Sequence, residues 1–156
     1  MSDTQLVLAT KNDASLLQDS ALAAFQEDFN LYGGFPPNIE SLTWFDECIE
    51  NKQFYKILYK NAFAGGLCIE DAGEGVMDIR YIYVSDAFQN NGVGQAVMSM
   101  AETLLPNIKQ IYLLTPYKAY RNHYFYEKLG FKKVGEFHPD PDDEFMVFEY
   151  QKYLHE

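Results

Sequence analysis

The sequence predicts an α/β domain built on a mixed, mostly antiparallel sheet. Residues 77–84 read as a strong strand, residues 92–105 as a helix and residues 110–115 as a buried strand. Val93, Ala96, Val97, Met100, Ala101 and Leu104 recur at helical spacing, and Pro106 closes the helix. Such a strand–helix–strand unit implies a parallel pair with a crossover helix. Residues 54–59 and 62–69 instead form a hairpin pattern turning at Lys60-Asn61, so the rest of the sheet is antiparallel. A length of 156 residues, 47% of them apolar, suits one domain that buries its own core without staples or metals.

In chain order, Leu6-Val7-Leu8-Ala9-Thr10 reads as a short strand. Asp13 is an N-cap for a helix striped by Leu16, Leu17, Ala21, Ala24 and Phe25, which Gly33-Gly34-Phe35-Pro36-Pro37 breaks. Ser41 starts a second helix with Leu42, Phe45 and Ile49 on one face. After the hairpin, Asp71-Ala72-Gly73-Glu74-Gly75 turns into the strand over 77–84. Residues 120–129 are helical, with Gly130 as the residue just past the end. Residues 131–137 and 145–150 read as the last two strands, joined by an acidic, proline-containing loop. The expected order is β-α-α-β-β-β-α-β-α-β-β, a sheet flanked by helices in a single domain over residues 1–156.

Lys and Arg total 12 against 23 Asp and Glu, a net charge of −11. This argues against binding nucleic acid or an anionic membrane, both of which need basic patches. It suits a cationic substrate such as an amine, and serves solubility equally well. Cys48 and Cys68 form no Cys-x-x-Cys pair, which fits a reducing, cytoplasmic compartment. The N-terminus lacks the basic start and apolar run of a signal peptide, and no apolar stretch reaches the roughly 18 residues of a membrane span. His123, His138 and His155 show no metal-ligand spacing with the cysteines, so no metal is expected.

The sharpest local signal is Gln89-Asn90-Asn91-Gly92-Val93-Gly94, placed after a strand and opening a helix. Gly92 and Gly94 let backbone approach an anion closely. The first helical N–H groups lack internal partners, and the helix dipole adds positive potential. Together they make a phosphate cradle that needs no cation; the alternative is a tight turn with incidental glycines. Val97 stands where a dinucleotide fingerprint requires glycine, and Glu136 follows Gly135 where a P-loop requires lysine.

About thirty residues further on stands Phe125-Tyr126-Glu127-Lys128-Leu129-Gly130-Phe131. With the segment from Val84 to Gly94, it resembles the GNAT N-acetyltransferase superfamily: a Gln/Arg-x-x-Gly-x-Gly/Ala acetyl-CoA loop followed by a Phe-Tyr-Glu-Lys-Leu-Gly-Phe helix end. The resemblance implies that the backbone of Gln89, Asn90, Asn91, Gly92, Val93, Gly94 and Gln95 binds the coenzyme A pyrophosphate. It also implies that Tyr81, Ile82, Tyr83 and Val84 hold the pantetheine arm by main-chain bonds, one N–H polarising the thioester carbonyl. Tyr126 matches the tyrosine near the thioester sulfur. A phenol of pKa near 10 gives its proton to a thiol of pKa near 8.5 only uphill by about 2 kcal/mol, so Tyr126 is expected to donate a hydrogen bond.

An amine must be neutral to attack, which for a lysine-like group of pKa about 10.4 costs roughly 4.6 kcal/mol at pH 7. A carboxylate base reduces that cost. Asp78 occupies the strand position where some family members carry a glutamate base, with Glu70 and Glu74 as alternatives. The family pattern is broken at Ala119, where many members carry Asn seven residues before the tyrosine; nearby, Asn122 is a candidate cofactor contact and Arg121 could meet a phosphate, though neither is a matched family position. Tyr32 and Phe35 are candidate acceptor-site residues in the loop after the first helical segment. The expected activity is acetyl transfer from acetyl-CoA to a primary amine of a small-molecule or peptide acceptor, in a monomer or a homodimer. A non-catalytic acyl-CoA-binding module is the alternative reading, disfavoured by the presence of Tyr126.

Overall fold

A computed structural model describes residues 3–154. Its elements are β1 (Thr4–Leu8), α1 (Ala14–Ala24), α2 (Gln26–Tyr32), α3 (Leu42–Glu50), β2 (Phe54–Tyr59), β3 (Ala62–Gly73), β4 (Val76–Val84), α4 (Val93–Ala101), β5 (Gln110–Pro116), α5 (Tyr120–Lys128), β6 (Lys132–Phe137) and β7 (Val147–Tyr153). The strands form one seven-stranded sheet in the order β1-β2-β3-β4-β5-β7-β6. β4 and β5 are parallel, while β1/β2, β2/β3, β5/β7 and β6/β7 are antiparallel. The mixed, mostly antiparallel α/β class is therefore as expected. The sequence pattern does not specify that β7 rather than β6 lies beside β5. By contact density the described residues divide into two compact units, 3–69 with 81–101, and 70–80 with 102–154.

In the first unit, α1 packs against α3 and buries Ala14, Leu17 and Ala21. Leu16, expected on the buried stripe, is exposed. The expected single first helix is two: the backbone leaves helical geometry at Phe25 (φ −96°, ψ 11°), and α2 begins at the next residue. The Phe25 ring packs on Tyr81 and Tyr83, with centroids 6.0 and 5.8 Å away. α2 ends where glycine predicts, at Gly33 (φ 79°). Asp13 precedes α1 but does not cap it. Its carboxylate instead accepts from the Thr10 N–H (2.8 Å), the Thr10 hydroxyl and Lys56 Nζ (3.2 Å). Ser41 caps α3 as expected, its hydroxyl accepting from Trp44 N at 3.2 Å.

The β2–β3 hairpin turns at Lys60 (φ 50°) and Asn61 (φ 69°), two left-handed residues that match the strand twist. A bulge interrupts its register: Ile57 pairs with Gly65, but Leu58 pairs with Phe63. β3 runs to Gly73, so the turn into β4 is the two residues Glu74 (φ 56°) and Gly75 (φ 82°) rather than the five expected. So short a connection can only join antiparallel neighbours. α4 ends at Ala101, before the expected residue 105; Pro106 disfavours helical geometry at the residue before it.

The second unit is organised by register. Met77 pairs with Ile111, Ile79 with Leu113, and Leu113 with Tyr150, and all five are buried on one face. α5 lays Tyr126 and His123 on Tyr150, with centroids 6.1 and 5.9 Å away. Its end is a Schellman motif. Phe131 N–H bonds the Tyr126 carbonyl (3.0 Å) and Gly130 N–H bonds that of Glu127 (3.1 Å), with Gly130 left-handed at φ 98°.

On that buried face of β5, Thr115 Oγ1 has no hydrogen-bond partner among the described residues. A buried orphan hydroxyl costs about 1–3 kcal/mol. Thr115→Val removes the hydroxyl at nearly constant shape. It is expected to stabilise the protein by about 1 kcal/mol, read as a higher urea midpoint at unchanged slope. A lower midpoint would show that the hydroxyl is satisfied.

Candidate active site

The first unit presents the end of β4 and the turn that follows. Tyr81 and Tyr83 point toward the helices, where Trp44 meets Tyr81 edge-on at 5.3 Å. The Tyr83 hydroxyl donates to the Leu17 carbonyl at 2.9 Å and lies 2.9 Å from Ser20 Oγ. Burial drives its phenol far above the ordinary tyrosine range. The Tyr83 side chain is thus committed to the core, and only its main chain is left for a ligand. Ile82 and Val84 alternate to the opposite face and are half-buried. The β4–β5 ladder extends only from Val76↔Gln110 to Ile79↔Leu113, so it stops before Ile82.

Two glycines make this strand end possible, and the sequence reading passed over them. A Cβ on Gly65 would stand 2.0 Å from the Tyr83 carbonyl oxygen, and one on Gly66 would stand 2.7 Å from the Tyr83 hydroxyl. Paired glycines in the middle of a strand were the available signal, since they mark a bulge or a close backbone approach.

Beyond Val84, the turn is stapled by its own side chains. Gln89 Nε2 donates to the Val84 carbonyl (3.1 Å) and Asp86 Oδ1 (3.3 Å). Asn91 Nδ2 donates to the carbonyls of Phe88 and Gln89, each at 3.2 Å. Asn90 (φ 67°) and Gly92 (φ 74°) are left-handed. The Gln89 N–H is already used, on the Asp86 carbonyl at 3.2 Å. Ala96 is the first residue to close an intrahelical bond, to the Gly92 carbonyl at 3.0 Å, so the N–H groups of Val93, Gly94 and Gln95 precede the ladder. Gly94 belongs to the first turn of α4 rather than to the loop. At Gly92, the place of a Cβ is open space, with nothing within 4 Å. Residues 81–101 contain no Lys or Arg. The turn therefore fits an anion through backbone amides and the helix dipole alone.

The second unit holds Asp78, Glu70 and Tyr126. Asp78 is half-buried on β4, and burial is the main cause that lifts its carboxyl above the ordinary range. Arg80 opposes that shift and Glu70 adds to it. Glu70 is engaged by Arg80, whose Nη1 stands 3.1 Å from its Oε1. Glu74 is exposed in the two-residue turn. Tyr126 is buried among Phe125, Phe131 and Tyr150, and its hydroxyl makes no hydrogen bond among the described residues. Burial pushes its phenol well above the usual value. Asn122 and Arg121 are exposed on α5, whose N-cap, Ala119, offers no side-chain cap. His123, weighed in the sequence only as a metal ligand, is buried with Nε2 2.9 Å from the Pro116 carbonyl, its ring stacked on Phe148 at 5.0 Å. Its place one helical turn before Tyr126 was the only signal. Tyr32 ends α2, half-buried, and Phe35 packs on Phe29 at 4.9 Å and against the core, so Phe35 anchors its loop.

The family model of the acetyltransferase (GNAT) domain matches residues 50–133, more than half of the chain, and spans both the β4–α4 turn and Tyr126. The chain belongs to the GNAT acetyltransferases. It is an N-acetyltransferase of that type. No curated protein matches the sequence. Among solved structures, the PaiA N-acetyltransferase of Thermoplasma acidophilum in complex with coenzyme A is 16% identical, with 99% of this chain and 100% of that chain covered and a TM-score of 0.80. An acetyltransferase of Thermus thermophilus is also 16% identical, covering 99% and 98%, at a TM-score of 0.79. A streptothricin acetyltransferase of Bacillus anthracis, in complex with acetyl coenzyme A, is 20% identical over 65% and 62%, at 0.60. At these identities the likeness establishes the fold. No helix of the described GNAT chain is long and apolar enough to cross a membrane. Its described residues contain no cluster of three or more His, Cys, Asp or Glu able to hold a metal.

Proposed function

We propose that residues 1–156 act as one N-acetyltransferase domain, moving an acetyl group from acetyl-CoA to a primary amine by direct attack in a ternary complex. The observation that carries this reading is the open turn at Gly92, with the N–H groups of Val93, Gly94 and Gln95 ahead of the α4 ladder. These amides bind the pyrophosphate, and the main chain of Ile82, Tyr83 and Val84 holds the pantetheine arm. Bound acetyl-CoA supplies an acetyl group activated as a thioester. Tyr126 donates a hydrogen bond to the departing sulfur. Its raised pKa favours this role, because burial keeps the phenol protonated and disfavours full proton loss. Asp78 accepts the amine's proton, directly or through a water, and its raised pKa makes it a stronger base than an exposed aspartate. The buried Cys48 and Cys68, which form no Cys-x-x-Cys pair, support action in a reducing cytoplasm.

Gly92→Val forces a β-branched residue into a left-handed position and fills the open space, so acetyl-CoA binding should be lost in calorimetry while circular dichroism stays native. Unchanged affinity would remove the turn from the site. Tyr126→Phe should lower kcat about 100-fold with little change in acetyl-CoA affinity; wild-type turnover would reassign Tyr126 to packing. For Asp78, the sign follows from the amine. At pH 7 the ammonium must lose a proton to a base, whereas near pH 9.5 a larger share of the amine is already neutral. Asp78→Asn should therefore depress kcat/KM at pH 7 and much less at pH 9.5. Equal losses at both values would turn attention to Glu70 and Glu74.

A further inference from the structure

The helix that carries Tyr126 begins without a side-chain cap, because its N-cap is Ala119. Serine or asparagine at such a position satisfies an N–H group that alanine leaves open. The far end of α5 is firmly held. Beside the Schellman motif at Gly130, the Tyr150 hydroxyl donates to Glu127 Oε2 at 2.7 Å. At the start, among the described residues, His123 is the one side chain of the first turn that bonds outside the helix. Its main-chain N–H donates to the Ala119 carbonyl at 3.0 Å. Its Nε2 lies 2.9 Å from the carbonyl of Pro116, the last residue of β5. That carbonyl can only accept, so Nε2 carries the hydrogen and donates it. The same oxygen accepts from the Ala119 N–H at 3.1 Å, so both of its lone pairs are used.

His123 and Tyr126 are three residues apart, hence neighbours on one helix face, about 5–6 Å apart at Cβ. Both lie against the Tyr150 ring. His123 is nearly parallel to it (24°) at 5.9 Å, and Tyr126 is inclined by 49° at 6.1 Å. His123 is also stacked on Phe148 at 5.0 Å and meets Tyr120 edge-on at 5.8 Å. The two side chains thus share one helix and one bed. A turn of α5 about its axis that carries Tyr126 along Tyr150 must also draw His123 Nε2 away from Pro116. The hydrogen bond resists that motion, whereas stacked rings tolerate a range of offsets.

We infer that His123 is a positioning residue for Tyr126: by fastening the uncapped start of α5 to the end of β5, it fixes where the Tyr126 hydroxyl is presented. The inference rests on the reading of Tyr126 as the hydrogen-bond donor to the departing sulfur. The requirement is geometric, since misplacing a reacting group by about 1 Å can cost roughly 100-fold in rate. Tyr126 makes no hydrogen bond of its own among the described residues, so its hydroxyl takes its direction from the helix and from the rings around it. The competing account is that His123 only fills the core, for which any ring of similar size would serve.

The experiment measures thiol release from acetyl-CoA with phenethylamine, spermidine and a lysine-bearing tripeptide as acceptors. The proteins are wild type, His123→Phe, His123→Gln, Tyr126→Phe and the double variant His123→Phe/Tyr126→Phe. The phenylalanine keeps a ring and removes the donor, while the glutamine offers an amide N–H in place of Nε2 and gives up the ring. His123→Phe is expected to lower kcat about tenfold at unchanged acetyl-CoA KM, and His123→Gln to stay within about threefold of wild type. The double variant should be no slower than Tyr126→Phe alone, because the hydroxyl to be positioned is gone. If His123→Phe loses its native circular dichroism, His123→Met, which fills a core without a donor, replaces it in the cycle. Wild-type turnover in His123→Phe, a His123→Gln variant as slow as His123→Phe, or losses that multiply in the double variant would each reduce His123 to packing, and a slow Tyr126→Phe would leave the donor reading standing. If Tyr126→Phe turns over normally, both fall together.

Discussion

The first unit depends on one close approach, the seating of Tyr83 over Gly65 and Gly66. A buried phenol needs a hydrogen-bond partner, and Tyr83 finds it in the Leu17 carbonyl, which ties β4 to α1. That seat exists only because β3 carries no side chain at either glycine, and the bulge opposite Ile57 and Leu58 lets the strand adjust around them. The consequences run downstream. Tyr81 is clamped by Trp44 and Phe25, so the strand that ends at Val84 has a fixed direction. Gln89 then bonds back to the Val84 carbonyl, and Ser85 N–H bonds the Ala64 carbonyl at 2.7 Å. The turn before α4 inherits its geometry from the strand, and an amide cradle of this kind functions only if its donors are held in place before the anion arrives.

Burial raises the pKa of both Asp78 and Tyr126, and in the proposed reaction the same physical effect would serve opposite roles. For a carboxyl, a raised pKa brings the base nearer to neutral pH and increases its proton affinity. For a phenol, a raised pKa keeps the proton on oxygen and leaves a donor that does not ionise. A low-dielectric environment thus favours proton uptake at the one and proton retention at the other. Glu70 differs in its partner, since Arg80 Nη1 stands 3.1 Å from its Oε1.

The fold was legible where periodicity and punctuation agree. The strand–helix–strand unit, the Lys60-Asn61 hairpin, the Ser41 cap and the Gly130 helix end all follow from local chemistry. The break at Phe25 was not legible, because its cause is tertiary: an aromatic ring packs against Tyr81 and Tyr83, far away in sequence. Leu16 and Leu17 are chemically alike, and only the exact helix phase against α3 buries one and exposes the other. The insertion of β7 between β5 and β6 is a choice of pairing partner, which alternation alone does not encode. At the site, Gly92 and Tyr126 stood out through short motifs. The seat of Tyr83 on Gly65 and Gly66 did not, since it forms only where β3 and β4 lie side by side.

The charge balance of the whole chain and the neutrality of the proposed anion cradle fit together once distance is considered. Fixed charges on a surface are screened over about 8 Å at physiological ionic strength, whereas backbone amides act at contact. The excess of 23 acidic over 12 basic residues therefore sets a diffuse negative field that attracts an ammonium group from solution. It does little to a phosphate already seated against the first turn of α4, where the local partial charge is positive. A lysine or arginine at the turn would strengthen phosphate binding but would also repel an approaching ammonium. For the proposed reaction, an all-amide cradle would avoid that conflict, letting an acidic chain take a cationic acceptor and an anionic donor.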